Sequence, residues 1–65
     1  MKVQSSTISE INYDGSTLTI SFVNGSTYVY EGVPNNIYRS FTKAESTGKY
    51  FHENINRRYN YMRIK

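Results

Sequence analysis

Near its C-terminus the chain reads Arg57-Arg58-Tyr59-Asn60-Tyr61-Met62-Arg63, with Lys65 two residues further on, so cations and aromatic rings interleave. Single-stranded nucleic acid is often held this way, with phosphates on the cations and base faces on the rings. Arg58, Arg63 and Lys65 have no acidic neighbour close in sequence, and Lys49 is an outlying contributor. With Tyr59 and Tyr61 they make up the candidate contact surface. A plainer reading competes, in which Tyr59 and Met62 close the core and the arginines are solvated. Lys49, Glu53 and Arg57 are spaced four apart. On a helix they form a stripe that satisfies its own charges and contributes only a few tenths of a kcal/mol per pair.

Other constellations carry less. A hydrolytic or transfer site needs a base beside a nucleophile or a metal, and the chain has one histidine, no cysteine and five carboxylates. His52 and Glu53 are the one local pair, but neighbours on a helix point about 100° apart and do not converge. A lone histidine without cysteine or clustered aspartate cannot supply three or four metal ligands. The expectation is therefore no enzyme activity, no metal and no cofactor. Gly48-Lys49 lacks the upstream glycine of a phosphate loop and has Tyr50 where Ser or Thr is needed. Gly48 is then either a glycine before a helix whose amide protons meet a phosphate, aided by Lys49, or a turn residue kept for its backbone geometry. Asn24-Gly25-Ser26 spells a glycosylation acceptor but, without a secretory signal, reads as a turn.

The elements that must position these residues are constrained by size. Sixty-five residues make one domain spanning 1–65, and a chain of this length buries only about 60% of its unfolded surface. Hydrophobic residues are 37% of the chain and include seven tyrosines, so most tyrosines must help build the core. The lack of cysteine and of any long apolar run excludes a disulfide framework, a signal peptide and a membrane span. The expected setting is cytoplasmic, with no membrane partner. Charge is split along the chain: Lys2 stands against Glu10, Asp14 and Glu31 up to Gly32, whereas seven basic residues stand against Glu45 and Glu53 beyond it. An anionic partner fits the basic half, as does an ordinary solvated helix.

The first half alternates with period two and is broken at Asp14-Gly15 and Asn24-Gly25, which predicts three antiparallel strands near residues 4–13, 17–23 and 26–31. Ile8 has the opposite parity from Ile11 and Tyr13, so a bulge or a bend separates them. A two-residue turn at Asn24-Gly25 puts Tyr28 and Tyr30 on the polar face. A three-residue loop Val23-Asn24-Gly25 instead sets Tyr28 opposite Ile20 and Tyr30 opposite Leu18, and the scarcity of apolar residues favours it. Val33-Pro34 ends the sheet and starts a helix whose inner face holds Ile37, Phe41 and Ala44. Ser46 or Thr47 caps a second helix over about 49–57, with Phe51 and Ile55 inward. The predicted fold is α+β: a three-stranded antiparallel meander with a helical hairpin on one face, and residues 59–64 as either a final strand or an extended tail.

The order Ser5-Ser6-x-Ile8, Ile11-x-Tyr13-Asp14, Leu18-x-Ile20-x-Phe22, Gly25, Tyr28-x-Tyr30, Val33-Pro34, Tyr38, Phe41, Ala44-x-Ser46-x-Gly48-x-Tyr50-Phe51, Ile55 and Tyr59 resembles the KTSC domain over nearly the whole chain. That family is named from the C-terminus of some bacterial lysyl-tRNA synthetases and also occurs as small proteins of bacteria and their phages. The resemblance implies a stand-alone member with a role in RNA binding, and it implies no catalytic residues. Members usually read Tyr-Phe-Asn where this chain has Tyr50-Phe51-His52, so a role tied to that asparagine does not carry over. Two functions are expected from this reading. One is a non-catalytic module for RNA or another polyanion. The other, from a different class, is a protein-interaction module, bacterial or phage-encoded, that uses the sheet edge or polar face to dimerise or to inhibit a host protein.

Overall fold

The computed structural model describes residues 6–65, in the order β1 (Ile8–Tyr13), β2 (Leu18–Phe22), β3 (Thr27–Tyr30), α1 (Asn35–Lys43), α2 (Thr47–Asn54) and β4 (Tyr61–Arg63). Residues 4 and 5, expected to begin the first strand, and Ser5 of the family pattern lie outside the described residues. The four strands form one antiparallel sheet in the order β1-β2-β3-β4, and both helices pack on one face of it. The segment left open between strand and tail is thus a fourth strand.

The bulge expected in the first strand is present. Ile8 pairs with Phe22 and Glu10 with Ser21, so Ser9 is the extra residue, and its hydroxyl donates to the Ser21 carbonyl at 3.1 Å. The inserted residue reverses parity, which lets Ile8 and Ile11 both point inward, each fully buried. The second hairpin takes the three-residue loop: Leu18 pairs with Tyr30, Ile20 with Tyr28, and the Phe22 amide donates to the Ser26 carbonyl at 2.8 Å. Gly25 has φ +95° there, a conformation that penalises any side chain. Leu18, Ile20 and Tyr30 consequently share the helix-facing side, where they join Val33, Phe41, Phe51 and Ile55 in the core.

The helix cap is one of the two expected, and the helices differ from expectation at two points. Ser46 is the α2 cap, its hydroxyl accepting from the Lys49 amide at 3.2 Å. Gly48 is no turn residue: it lies within the first turn of α2, and the left-handed glycines are Gly15, Gly25 and Gly32. The second helix also stops at Asn54 rather than 57. The Ile55 carbonyl accepts from the Arg58 amide at 3.1 Å, and Arg57 takes φ +68° in that turn. The Lys49, Glu53, Arg57 stripe is therefore broken, because Arg57 has left the helix. The first helix is tied to the sheet by Tyr13, whose ring stacks on Tyr38 at 4.3 Å and whose hydroxyl donates to the Val33 carbonyl at 2.6 Å. No helix among the described residues is long and apolar enough to cross a membrane.

Candidate functional site

Strand β4 decides where the C-terminal tyrosines and cations go. Tyr28 pairs with Arg63, Val29 with Met62 and Tyr30 with Tyr61. Pairing continues beyond both ends, with the Glu31 amide donating to the Asn60 carbonyl and the Thr27 amide to the Lys65 carbonyl, both at 2.9 Å. Residues opposite one another share a face, so Tyr61 and Arg63 stand on the helix side of the sheet and Met62 on the open side.

On the helix side the rings gather. Tyr61 lies 5.6 Å from Tyr28 and 5.7 Å from Tyr30, and Tyr28 and Tyr30 lie 6.4 Å apart at 21°. Phe51 of α2 meets Tyr30 edge-on at 5.6 Å, and Phe22 at 5.4 Å. Tyr30 is buried, Tyr28 is half-buried and Tyr61 is 58% exposed. The group thus grades from core to solvent across one strand pair. Both halves of the register argument are met unevenly: Tyr30 is a core residue, whereas Tyr28 packs on the core with one flank and opens onto a cleft with the other.

That cleft holds about 380 Å³ and is walled by Phe22, Tyr28, Tyr30, Phe51 and Tyr61. Its polar lining is Asn24, Ser26, Asn56 and Arg57, with no carboxylate. Asn24 is held in place, since its Oδ1 accepts from the Ser26 amide at 2.9 Å and the Ser26 hydroxyl at 2.7 Å. Burial pushes the Tyr30 phenol up to about 12, with Tyr28 and Tyr61 adding to the effect, so it remains neutral at ordinary pH. Arg57 is the cation of the cleft, and its left-handed backbone costs on the order of 1 kcal/mol relative to glycine. The turn it makes redirects the chain from the end of α2 to the sheet edge, where β4 begins.

The six residues expected at the contact surface fall into three groups. Tyr61, Arg63 and Lys65 come together on β4 and its continuation. Arg63 Nε donates to the Lys65 carbonyl at 3.1 Å. Arg58 is exposed but partly engaged, its Nε donating to the Glu53 carbonyl at the end of α2 at 3.1 Å. Tyr59 is half-buried against the core, as the plainer reading had it, whereas Met62 is 64% exposed and closes nothing. Lys49 sits on the first turn of α2, at the opposite end of that helix from the cleft. Arg57, Asn56 and Asn24 line the cleft without having been expected at a contact surface, and Tyr28, for which the sequence favoured the core over an exposed face, takes part in both. His52 and Glu53 are both exposed on α2, and among the described residues no group of His, Asp or Glu converges to hold a metal.

The open side of the sheet carries a second, smaller depression of about 140 Å³ beside Val29, Met62 and Ile64, the last two well exposed. Strand β4 also leaves its outer edge without a neighbouring strand among the described residues.

Comparison with known proteins places these features in a family. The model of the KTSC domain matches residues 4–59. A lysine–tRNA ligase of Trichormus variabilis is 35% identical over 66 residues, which cover 98% of this chain and 12% of that protein. The crystal structure of a KTSC domain protein from Yersinia pestis is 35% identical and superposes with a TM-score of 0.93, covering 100% of this chain and 94% of that one.

Proposed function

This chain belongs to the KTSC domain family, and from that premise we propose that it is a non-catalytic module that binds single-stranded or loop RNA, acting in the cytoplasm. The observation that carries the reading is the juxtaposition on one side of β4. Tyr61, more than half exposed, offers a ring face beside Arg63, and the adjoining cleft presents Arg57 with no competing carboxylate. Aromatic faces recognise unstacked bases and guanidinium groups take phosphates, which is the chemistry of single-strand recognition rather than of duplex reading. Similarity to part of a ligase named for tRNA supports RNA over other polyanions. Fluorescence anisotropy at low salt tests it by comparing labelled single-stranded RNA with a duplex of the same sequence. Tighter binding of the single strand supports the proposal, and no binding to either rejects it.

The exposed Met62 and Ile64 and the outer edge of β4 favour a second reading, in which this surface pairs with a protein. Light scattering separates the two. An oligomer indifferent to RNA favours the second, and a monomer whose mass grows only with RNA favours the first.

A further inference from the structure

We propose that the cleft between β3, β4 and the end of α2 is a site for one unpaired nucleotide, its base against Tyr28 and Tyr61 and its phosphate on Arg57. This rests on the RNA reading above and gives that surface its recognition element. Three independent observations converge. The first is size. About 380 Å³ lies near the lower limit of the ~300–1,000 Å³ typical of small-ligand sites, enough for one ring system and not for a folded element. The second is charge, for the lining residues include one arginine and no acidic group, so the cleft favours an anion.

The third is the backbone of Arg57. At φ +68° the turn calls for glycine or asparagine, and asparagine stands one residue earlier at Asn56. A long cationic side chain in a conformation that penalises it, at the rim of a cleft, is where strain is retained for function rather than stability. The amide side chain of Asn56 and the amide nitrogen of Asn24, whose oxygen is taken by Ser26, add donors and an acceptor at the cleft wall, of the kind that read a base edge. Glu53, the nearest acidic residue in sequence to Arg57, does not line the cleft and lends its main-chain carbonyl to Arg58 instead.

The experiment titrates the isotope-labelled protein by NMR with adenosine and uridine monophosphates and with ribose 5-phosphate, and measures anisotropy with a short single-stranded RNA and its abasic counterpart. A saturable shift of the Asn24, Asn56, Arg57 and Tyr61 amides by a nucleotide, absent with ribose 5-phosphate, supports the site. So does a loss of about five-fold or more on removing the bases, which is the size of one stacking contact. Arg57→Gly is expected to leave Tm unchanged or raised and to weaken nucleotide binding about ten-fold, a combination a purely structural arginine would not produce. Tyr61→Phe should keep binding and Tyr61→Ala lose it. If RNA binds but its abasic form binds equally and the cleft amides stay still, the cleft proposal is overturned while the RNA reading stands. If mononucleotides fill the cleft and RNA does not bind, the site belongs to a free nucleotide and the polymer reading falls. No shift with any of these probes rejects both.

Discussion

At the scale of single residues, the tyrosines divide by depth, and their substitutions should divide likewise. Tyr30 is 2% exposed and touches Phe51 as well as two other tyrosines. Tyr30→Ala should cost about 3 kcal/mol or more, enough to unfold much of so small a domain, and urea melts will read it. Tyr28→Ala, at a half-buried position, should cost clearly less. Gly25→Val should destabilise by roughly 1–2 kcal/mol, because φ +95° there excludes a branched side chain; an unchanged Tm would refute the turn. Asp14 gives the pH dependence. Its carboxylate accepts the Thr17 amide at 2.7 Å and the Ser16 amide at 3.0 Å, and these bonds hold its pKa below the usual carboxylate range. The folded state therefore binds the proton less readily than the unfolded one, so the contribution is full above about pH 4 and disappears as pH falls through the lower folded value. Asp14→Asn, which keeps a capping oxygen without the titration, should flatten the acid limb of Tm against pH.

At the scale of elements, β4 carries much of the candidate site but little of the stability. All three of its residues are exposed, whereas the core is drawn from β1, β2, β3, both helices and the residues flanking them. Asn60 and Ile64 bond toward β3, so Met62, midway between them, turns its amide the same way. Met62→Pro should remove that ladder bond, detach the strand at a cost on the order of 1 kcal/mol, and abolish RNA binding while circular dichroism stays near the parent's. Much of the fold was legible in the residue pattern. The parity break between Ile8 and Ile11 announced the bulge, and the scarcity of apolar residues chose the loop at Gly25. The end of α2 was not legible, because Asn56-Arg57-Arg58 contains no glycine or proline, and a helical spacing from Lys49 through Arg57 looked sound. Strand β4 stayed open between strand and tail for a related reason: too few apolar residues alternate between Tyr59 and Ile64, since all three of its residues are exposed and none is needed by the core. With that segment left open, Tyr28 looks like core and Arg57 like half of an ion pair. Tyr28 and Arg57 both line the cleft.

At the scale of the whole molecule, a net charge of +3 is modest, and its placement matters more than its size. The cations beyond Gly32 include Arg57, Arg63 and Lys65, which the turn after α2 and the pairing of β4 bring to one end of the sheet. Three phosphate contacts to a single strand should give a slope of log affinity against log salt of about −2, each contact releasing roughly 0.7 of a counterion. Affinity should be weak at physiological salt and strengthen steeply on dilution. Because these side chains are on the surface, their removal should alter stability by less than ~0.5 kcal/mol, so binding and folding can be read separately. The most direct measurement is therefore anisotropy of a labelled single-stranded RNA across a salt series, for the parent and for Arg63→Ala combined with Lys65→Ala. A slope near −2 that flattens by about 1.4 in the double variant at unchanged Tm is expected; no binding at low salt, or a slope that the double substitution leaves untouched, would contradict RNA binding through these cations.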